Sequence, residues 1–211
     1  MSVSSQPDFE FIAESRIPSK RGEMYVRAYR NNKDQTEPTA IFFHSPRNQA
    51  AVPLRVHDAC FTSEVLGSLK CDCKEQLEYA LDYIAAHGGV VIYLQQEGRG
   101  IGLANKIAAY ALQEKGLDTV EANLALALPA DQRQYEIAAF IVSDLALLSI
   151  SLMTNNPRKV EKLQALGVSI DARLPIEMKP HRHNQTYLRV KQRKMRHLLN
   201  IDSLENNGGD T

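Results

Sequence analysis

Hydrophobic positions change their period along this chain, and each change marks an element. Between Gly22 and Arg30 apolar and polar residues alternate, with Met24, Val26 and Ala28 on one side, the period of a half-buried strand. The apolar run Ala40–Phe43 predicts a short buried strand, and the two prolines within residues 45–53 predict a loop. From Lys74 to His87, Leu77, Ala80, Leu81, Ile84 and Ala85 share one helical face, and Gly88-Gly89 stops the helix. Val90–Leu94 is a continuous apolar run of the kind found in buried sheets. After QQEGRGIG, a helix is predicted from Leu103 to Lys115, ended by Gly116. Gln132–Leu147 predicts another helix, Ser149–Met153 a strand, Pro157–Leu166 a helix with proline in its first turn, and Val168–Arg173 a further strand. Such alternation predicts an α/β fold with a mixed, mostly parallel sheet flanked by helices. The hairpin-like N-terminal strands would make that sheet mixed. Residues 9–200 read as a single domain, with residues 1–8 and 201–211 as flexible tails.

Composition fits a soluble enzyme of one generous domain: 211 residues, 44% hydrophobic, with 25 basic and 25 acidic side chains. Zero formal charge points to neither nucleic acid nor membrane as a partner. No apolar run approaches the ~20 residues that a membrane span needs. The start, MSVSSQPDFE, lacks the pattern of a signal peptide, and the expected location is cytoplasmic. Charge is uneven, however. No acidic residue separates Glu177 from Asp202, while Lys179, Arg182, Arg189, Lys191, Arg193, Lys194 and Arg196 fall between them. That run is either a solvated helix face or a basic wall beside a polyanionic ligand. With Tyr187 alone available for base stacking, a nucleic-acid surface is the poorer reading.

The chain's three cysteines, Cys60, Cys71 and Cys73, lie within fourteen residues as C-x10-C-x-C. An odd count suits no closed set of disulfides, and three soft ligands leave one position of a tetrahedral Zn²⁺ open for water. Metal-assisted hydrolysis requires such an opening, because the metal lowers the pKa of bound water to roughly 7. Three buried, incidental thiols are the alternative. Clustering beside His57, Asp58 and Asp72 favours the metal. Glu97–Gly102, EGRGIG, stands between a predicted strand and a predicted helix. Its glycines would let the backbone approach an anion, although a tight turn also explains them. The spacing matches neither the dinucleotide fingerprint nor a Walker loop. Glu97 and Arg99 beside it, at the carboxyl edge of a sheet, point to a ligand. Thr154–Lys159, TNNPRK, has the same location. Thr154 or Asn155 would cap the helix, and Lys159 would meet phosphate. Asp131-Gln132-Arg133 reads as an ordinary helix start.

Taken together, RVHDACFTSEVLGSLKCDC, YLQQEGRGIGLANKIAAYALQEKGLDTVEAN, ADQRQY and LMTNNPRKVEKLQALGV closely resemble the GTP cyclohydrolase II family, in order and spacing, over about residues 15–200. The resemblance implies a GTP cyclohydrolase II-like fold and Cys60, Cys71 and Cys73 as ligands of one catalytic Zn²⁺ per chain. It implies GTP binding by Arg55, Val56, His57, Asp58, Ala59, Gln76, Glu97, Gly98, Arg99, Thr119, Thr154 and Lys159. Asp131 matches the proton acceptor, Arg133 a nucleophile toward the α-phosphorus, and Tyr110 a tyrosine tied to the second hydrolytic step. The implied reaction opens the imidazole ring of GTP and releases formate and diphosphate, as the first step of riboflavin synthesis. A homodimer is implied, with Mg²⁺ accompanying the diphosphate. Many relatives carry a dihydroxybutanone phosphate synthase domain in front. This chain is too short to hold one, so a monofunctional form is expected.

A guanidinium normally stays protonated, so nucleophilic Arg133 would need Asp131, two residues away, to accept or position its proton. Tyr110 lies two helical turns beyond Leu103, which suits a core position as well as a hydroxyl that positions water. Several positions depart from the family pattern. HSEC reads His57-Asp58-Ala59-Cys60, LTGD reads Phe61-Thr62-Ser63-Glu64, and LGF reads Leu126-Ala127-Leu128. TKxxKMGH reads Val190–His197, with Arg196 in place of glycine. The alternative functions are the same zinc hydrolysis on another nucleotide, or a nucleotide-binding regulator without turnover.

Overall fold

The computed structural model describes residues 7–117, 119–129 and 131–178. The basic run from Lys179 to Arg196, both departures within Val190–His197, and the C-terminal tail lie outside the described residues. Seven strands form one sheet: β1 (Phe9–Ser19), β2 (Gly22–Asn31), β3 (Thr39–Phe42), β4 (Val52–Asp58), β5 (Val90–Leu94), β6 (Ile150–Met153) and β7 (Ile170–Leu174). Their spatial order is β1-β2-β3-β5-β4-β6-β7. β1, β2, β3 and β5 pair antiparallel in succession, and β4 then pairs in parallel with β5 on one side and β6 on the other. β7 continues the parallel half beside β6.

The helices are α1 (Phe61–Glu64), α2 (Cys73–His87), α3 (Leu103–Gln113), α4 (Thr119–Ala125), α5 (Glu136–Asp144) and α6 (Pro157–Ala165). Strand alternation sorts the core into two layers. Leu54, Val56, Ile92, Ile150 and Leu152 face α5, through Ile137, Ala138 and Ile141, and α6, through Leu163. Val91 and Met153 face the other way, with Phe43, onto Ala80 and Ile84 of α2. Each fully buried aliphatic side chain contributes about 1.5–3 kcal/mol relative to exposure.

The two crossovers around β4 decide where a ligand can sit. From β4 the chain passes through α2 on one face to β5; from β5 it passes through α5 on the other face to β6, across β4. The strand order therefore switches between β4 and β6, whose outgoing connections run to opposite faces of the sheet through α2 and α6. A crevice at that place is the usual ligand site of an open α/β sheet.

The predicted strands and helices are largely present, with informative exceptions. β1 was not predicted, because it is mostly exposed and its polar residues obscure the alternation. β4 begins within the predicted loop and continues through Arg55 and His57, charged or polar side chains that are buried here. The predicted helix from Gln132 starts only at Glu136, since residues 131–135 run irregularly into the site. Pro7 and Asp8 are held by Asn32, whose side-chain amide donates to the Pro7 carbonyl and whose backbone N–H donates to that of Asp8. Among the described residues no helix is long and apolar enough to cross a membrane.

The turn from α2 into β5 is tight. Gly89 has φ +130°, and a Cβ there would stand 2.4 Å from the Pro53 carbonyl oxygen. Gly89→Ala is expected to lower the unfolding free energy by about 1–3 kcal/mol, read from urea unfolding. An unchanged midpoint would mean that this link relaxes away from β4.

Candidate active site

Three neighbouring parallel strands deliver their next residues to one crevice. β4 leads into Ala59-Cys60, β5 into Gln95–Arg99, and β6 into Thr154–Asn156. The crevice is lined by Arg55, His57, Asp58, Ala59, Cys60, Cys71, Cys73, Gln76, Glu97, Gly98, Arg99, Tyr110, Arg133, Thr154 and Lys159. Asp131 joins through Arg133. Val56 differs from expectation: its side chain is in the core, and only its backbone carbonyl turns to the site, accepting from Lys159 Nζ at 2.7 Å. Thr119 opens α4, and its side chain lies outside the described residues.

At one end of the crevice the three cysteine sulfurs lie within 4.8 Å of one another. Cys60 and Cys71 Sγ are 3.6 Å apart. Zn–S bonds of about 2.3 Å at tetrahedral angles put sulfurs about 3.8 Å apart, so this donor set fits Zn²⁺. Charge supports the fit. Hydrogen bonds from the Cys71 and Cys73 thiols, then the Lys106 ammonium, hold Cys60 as a thiolate against burial. The Cys71 thiol is pushed up by its bond to Cys60. Three sulfurs sharing one negative charge would all ionise around a divalent cation.

At the other end is a cradle of buried charge. Lys159 Nζ lies 3.0 Å and Arg133 Nη1 2.9 Å from Asp58 Oδ2. Asp131 accepts from Nε, Nη2 and the backbone N–H of Arg133, at 2.9, 2.6 and 3.1 Å. Burial opposes ionisation of Asp58, but Lys159 and Arg133 outweigh it and hold the carboxyl at about 2. For Lys159 burial prevails over the attraction of Asp58 and, with the charges of Arg133 and Arg55, lowers its ammonium to about 8. Arg133 is held protonated well above its ordinary value: burial opposes this, and its bonds to Asp131 and the charge of Asp58 prevail. Arg55 donates to the Met153 carbonyl and to Gln76 Oε1, and Gln76 donates to Asp72.

His57 connects the two ends. Burial lowers its pKa and keeps the ring neutral. Its Nε2 lies 3.0 Å from Glu64 Oε1, and the ionised carboxylate, being an acceptor, selects the Nε2–H tautomer. Glu64 also accepts from Tyr93 and from the Cys60 backbone N–H. Arg55 Nε, His57 Nδ1 and Asp58 Oδ1 are buried with no hydrogen-bond partner among the described residues. Orphaned polar atoms on three successive lining residues mark a place built for a ligand.

The glycine loop serves backbone packing as well as any anion. Gly98 and Arg99 are both left-handed, and Gly100, at φ +89°, passes so close to Gln132 and Arg133 that a Cβ would stand 3.1–3.3 Å from their backbone. The loop thereby fixes the segment that carries Arg133. The α6 cap falls on Asn156, one residue beyond the pair expected, with its Oδ1 accepting from Arg158 N–H. Asn155 instead binds Ile176, and Thr154 accepts from the Asn156 N–H. Arg158 is exposed while Lys159 is buried. Tyr110 is half-buried on the crevice wall, not in the core, and Leu103 is 38% exposed. Lys70 and Lys106 lie over the Tyr110 ring at 4.4 and 5.8 Å from its centroid. Sequence reasoning passed over Lys106, although it shares a helical face with Tyr110, one turn away.

The profile of the GTP cyclohydrolase II family matches residues 10–175. A GTP cyclohydrolase-2 of Campylobacter fetus subsp. fetus is 46% identical over 185 residues, covering 88% of this chain and 93% of that protein. One from Picrophilus torridus is 44% identical over 192 residues, covering 90% and 99%. The riboflavin biosynthesis protein RibBA of Chlamydia muridarum is 48% identical over 197 residues, 92% of this chain and 46% of that protein. The chain thus spans about half the length of this RibBA relative and nearly all of the two GTP cyclohydrolase-2 relatives. With the cysteine cluster, the glycine loop and the Thr154–Lys159 segment meeting in one crevice inside the matched region, this chain belongs to the GTP cyclohydrolase II family.

Proposed function

We propose that this chain hydrolyses GTP, opening the imidazole ring to give 2,5-diamino-6-(5-phosphoribosylamino)pyrimidin-4-one, formate and diphosphate, the first step of riboflavin synthesis. The observation that carries this reading is the opposition, across one crevice, of a three-sulfur metal site and a cradle of buried cations. One end suits chemistry on a ring carbon, and the other suits a triphosphate.

Cys60, Cys71 and Cys73 would hold the zinc, which when bound supplies redox-silent Lewis acidity and acidified water at the reacting carbon. Lys159, Arg133 and Arg99 bind the phosphates. Asp58, already bonded to Lys159 and Arg133, keeps both side chains aimed at the crevice. Asp131, through its bonds to Nε and Nη2, is the group that receives a proton from Arg133 in any covalent step at the α-phosphorus. Tyr110, on the crevice wall, positions the formamide for the second hydrolysis. Mg²⁺ with the released diphosphate and a homodimer belong to the same proposal. Edge strand β1, which exposes Phe11, Ile12 and Ile17, supports self-association, and equilibrium sedimentation tests it. A second reading, the same hydrolysis on another nucleotide, draws on Asp58, which already neutralises part of the cradle.

The deciding assay supplies purified protein with GTP and Mg²⁺ and follows formate, diphosphate and product absorbance. Turnover of another nucleotide in preference to GTP, or a formylated product, would move the assignment to the second reading. Zinc analysis should give one ion per chain, and Cys71→Ser should lose most of the metal together with turnover. Full zinc occupancy and normal activity in that variant would remove the cysteine site from the argument.

Lys159 gives a pH dependence with a definite sign. Its ammonium, lowered to about 8, is charged below that pH and neutral above it. Log kcat/KM for GTP, which reports the free protein, should therefore fall as pH rises through about 8. Lys159→Arg should lose that inflection, because guanidinium does not titrate there. An inflection that survives the substitution belongs to another group.

Tyr110→Phe should still open the ring but accumulate the formylated intermediate, detected by mass spectrometry. A normal formate yield would reduce Tyr110 to a packing residue.

A further inference from the structure

Lys106 holds a position that the proposed reaction does not use. It projects from α3 with its side chain 12% exposed, and its Nζ lies 3.1 Å from Cys60 Sγ and 2.7 Å from Glu97 Oε1. Glu97 is itself fixed: Oε2 accepts from the Phe61 N–H at 2.6 Å and Oε1 from the Gly98 N–H at 2.9 Å. One carboxylate thus ties the turn after Cys60, the glycine loop and α3 together, and aims the ammonium at the metal-binding sulfur.

Three thiolates around a divalent cation leave that centre with an excess negative charge. They also donate strongly, which weakens the metal as a Lewis acid. A charge-assisted N–H···S bond draws electron density from the sulfur and cancels the excess charge. We infer that Lys106 is a positioning residue of the metal centre, which tunes the electron donation of the Cys60 thiolate through its N–H···S bond. This rests on the zinc-hydrolase reading above. Glu97 then has two tasks, as a wall of the nucleotide crevice and as the anchor that keeps Lys106 on sulfur.

The test uses the whole chain with its metal exchanged for Co²⁺, whose sulfur-to-metal charge-transfer band reports donation by thiolate. Losing the hydrogen bond raises the sulfur lone pairs, so Lys106→Met should move the band to longer wavelength at unchanged metal stoichiometry. Lys106→Arg, which keeps a charged donor, should restore it. Lys106→Gln, neutral but still a donor, should fall between, so the order of the bands gives the result even where Lys106→Met is unstable. With zinc, kcat of Lys106→Met should fall about 10- to 100-fold while KM for GTP changes little. Identical bands in the unmodified protein and in Lys106→Gln and Lys106→Met would overturn the role of Lys106 and leave the metal site standing. A rise in KM without a band shift would do the same, and would move Lys106 to the substrate. No thiolate band in the unmodified protein would overturn the metal site and this inference together.

Discussion

β4 satisfies its backbone by pairing in parallel with β5 on one side and β6 on the other, while the crossover from β4 to β5 and the crossover from β5 to β6 run on opposite faces of the sheet. The space above the carboxyl end of β4 is lined by residues that follow the three strands, joined by side chains from α2, α3 and the Asp131–Arg133 segment. This one constraint places Asp58 and Cys60, the glycine loop and the Thr154–Asn156 segment around a common void. It also buries Arg55 and His57 in a strand whose opposite side chains, Leu54 and Val56, belong to the core.

Burial makes the charge pattern consequential. Lys159 and Arg133 converge on one oxygen of Asp58, and a buried charge left without a partner costs several kcal/mol. The carboxylate therefore lets two cations persist together in the buried crevice. Only one oxygen of Asp58 is used; Oδ1 stays without a partner among the described residues. The cradle is thus stabilised in the free protein without being saturated. Asp131 does for Arg133 what Asp58 does for Lys159, with three bonds to one side chain and its backbone.

The sulfur end obeys the same rule with the signs exchanged. Clustered thiolates repel, and Lys106 supplies the nearby cation that the described residues offer Cys60. Glu97 and Glu64 hold the Cys60 turn through the backbone N–H groups of Phe61 and Cys60 respectively. Glu64 reaches His57, Tyr93 and Cys60 at once. The two ends of the crevice are therefore mechanically linked through β4 and the turn that follows it.

Local periodicity belongs to the sequence, and the elements that depend on it were legible there: α2, β5, α3, β6 and α6 lie where alternation, apolar runs and glycine or proline stops put them. The cysteine spacing pointed to a shared site for the same reason, since Cys71 and Cys73 are near neighbours and Cys60 needs only one turn of chain to reach them. β4 was not legible, because Pro53, Arg55 and His57 look like loop residues until both flanking strands are known. Residues 131–135 gave no sign of their irregular path, which the close approach of Gly100 imposes from thirty residues away. The Lys159–Asp58 pair spans 101 positions and the Lys106–Cys60 contact 46. Contacts of that separation are set by the crossovers, not by the residues that flank them. The sequence by itself determined the local elements and the spacing of the cysteines, the glycine loop and the Thr154–Lys159 segment; tertiary structure decided which of their side chains share a charge, because burial and proximity exist only after the sheet has closed around β4.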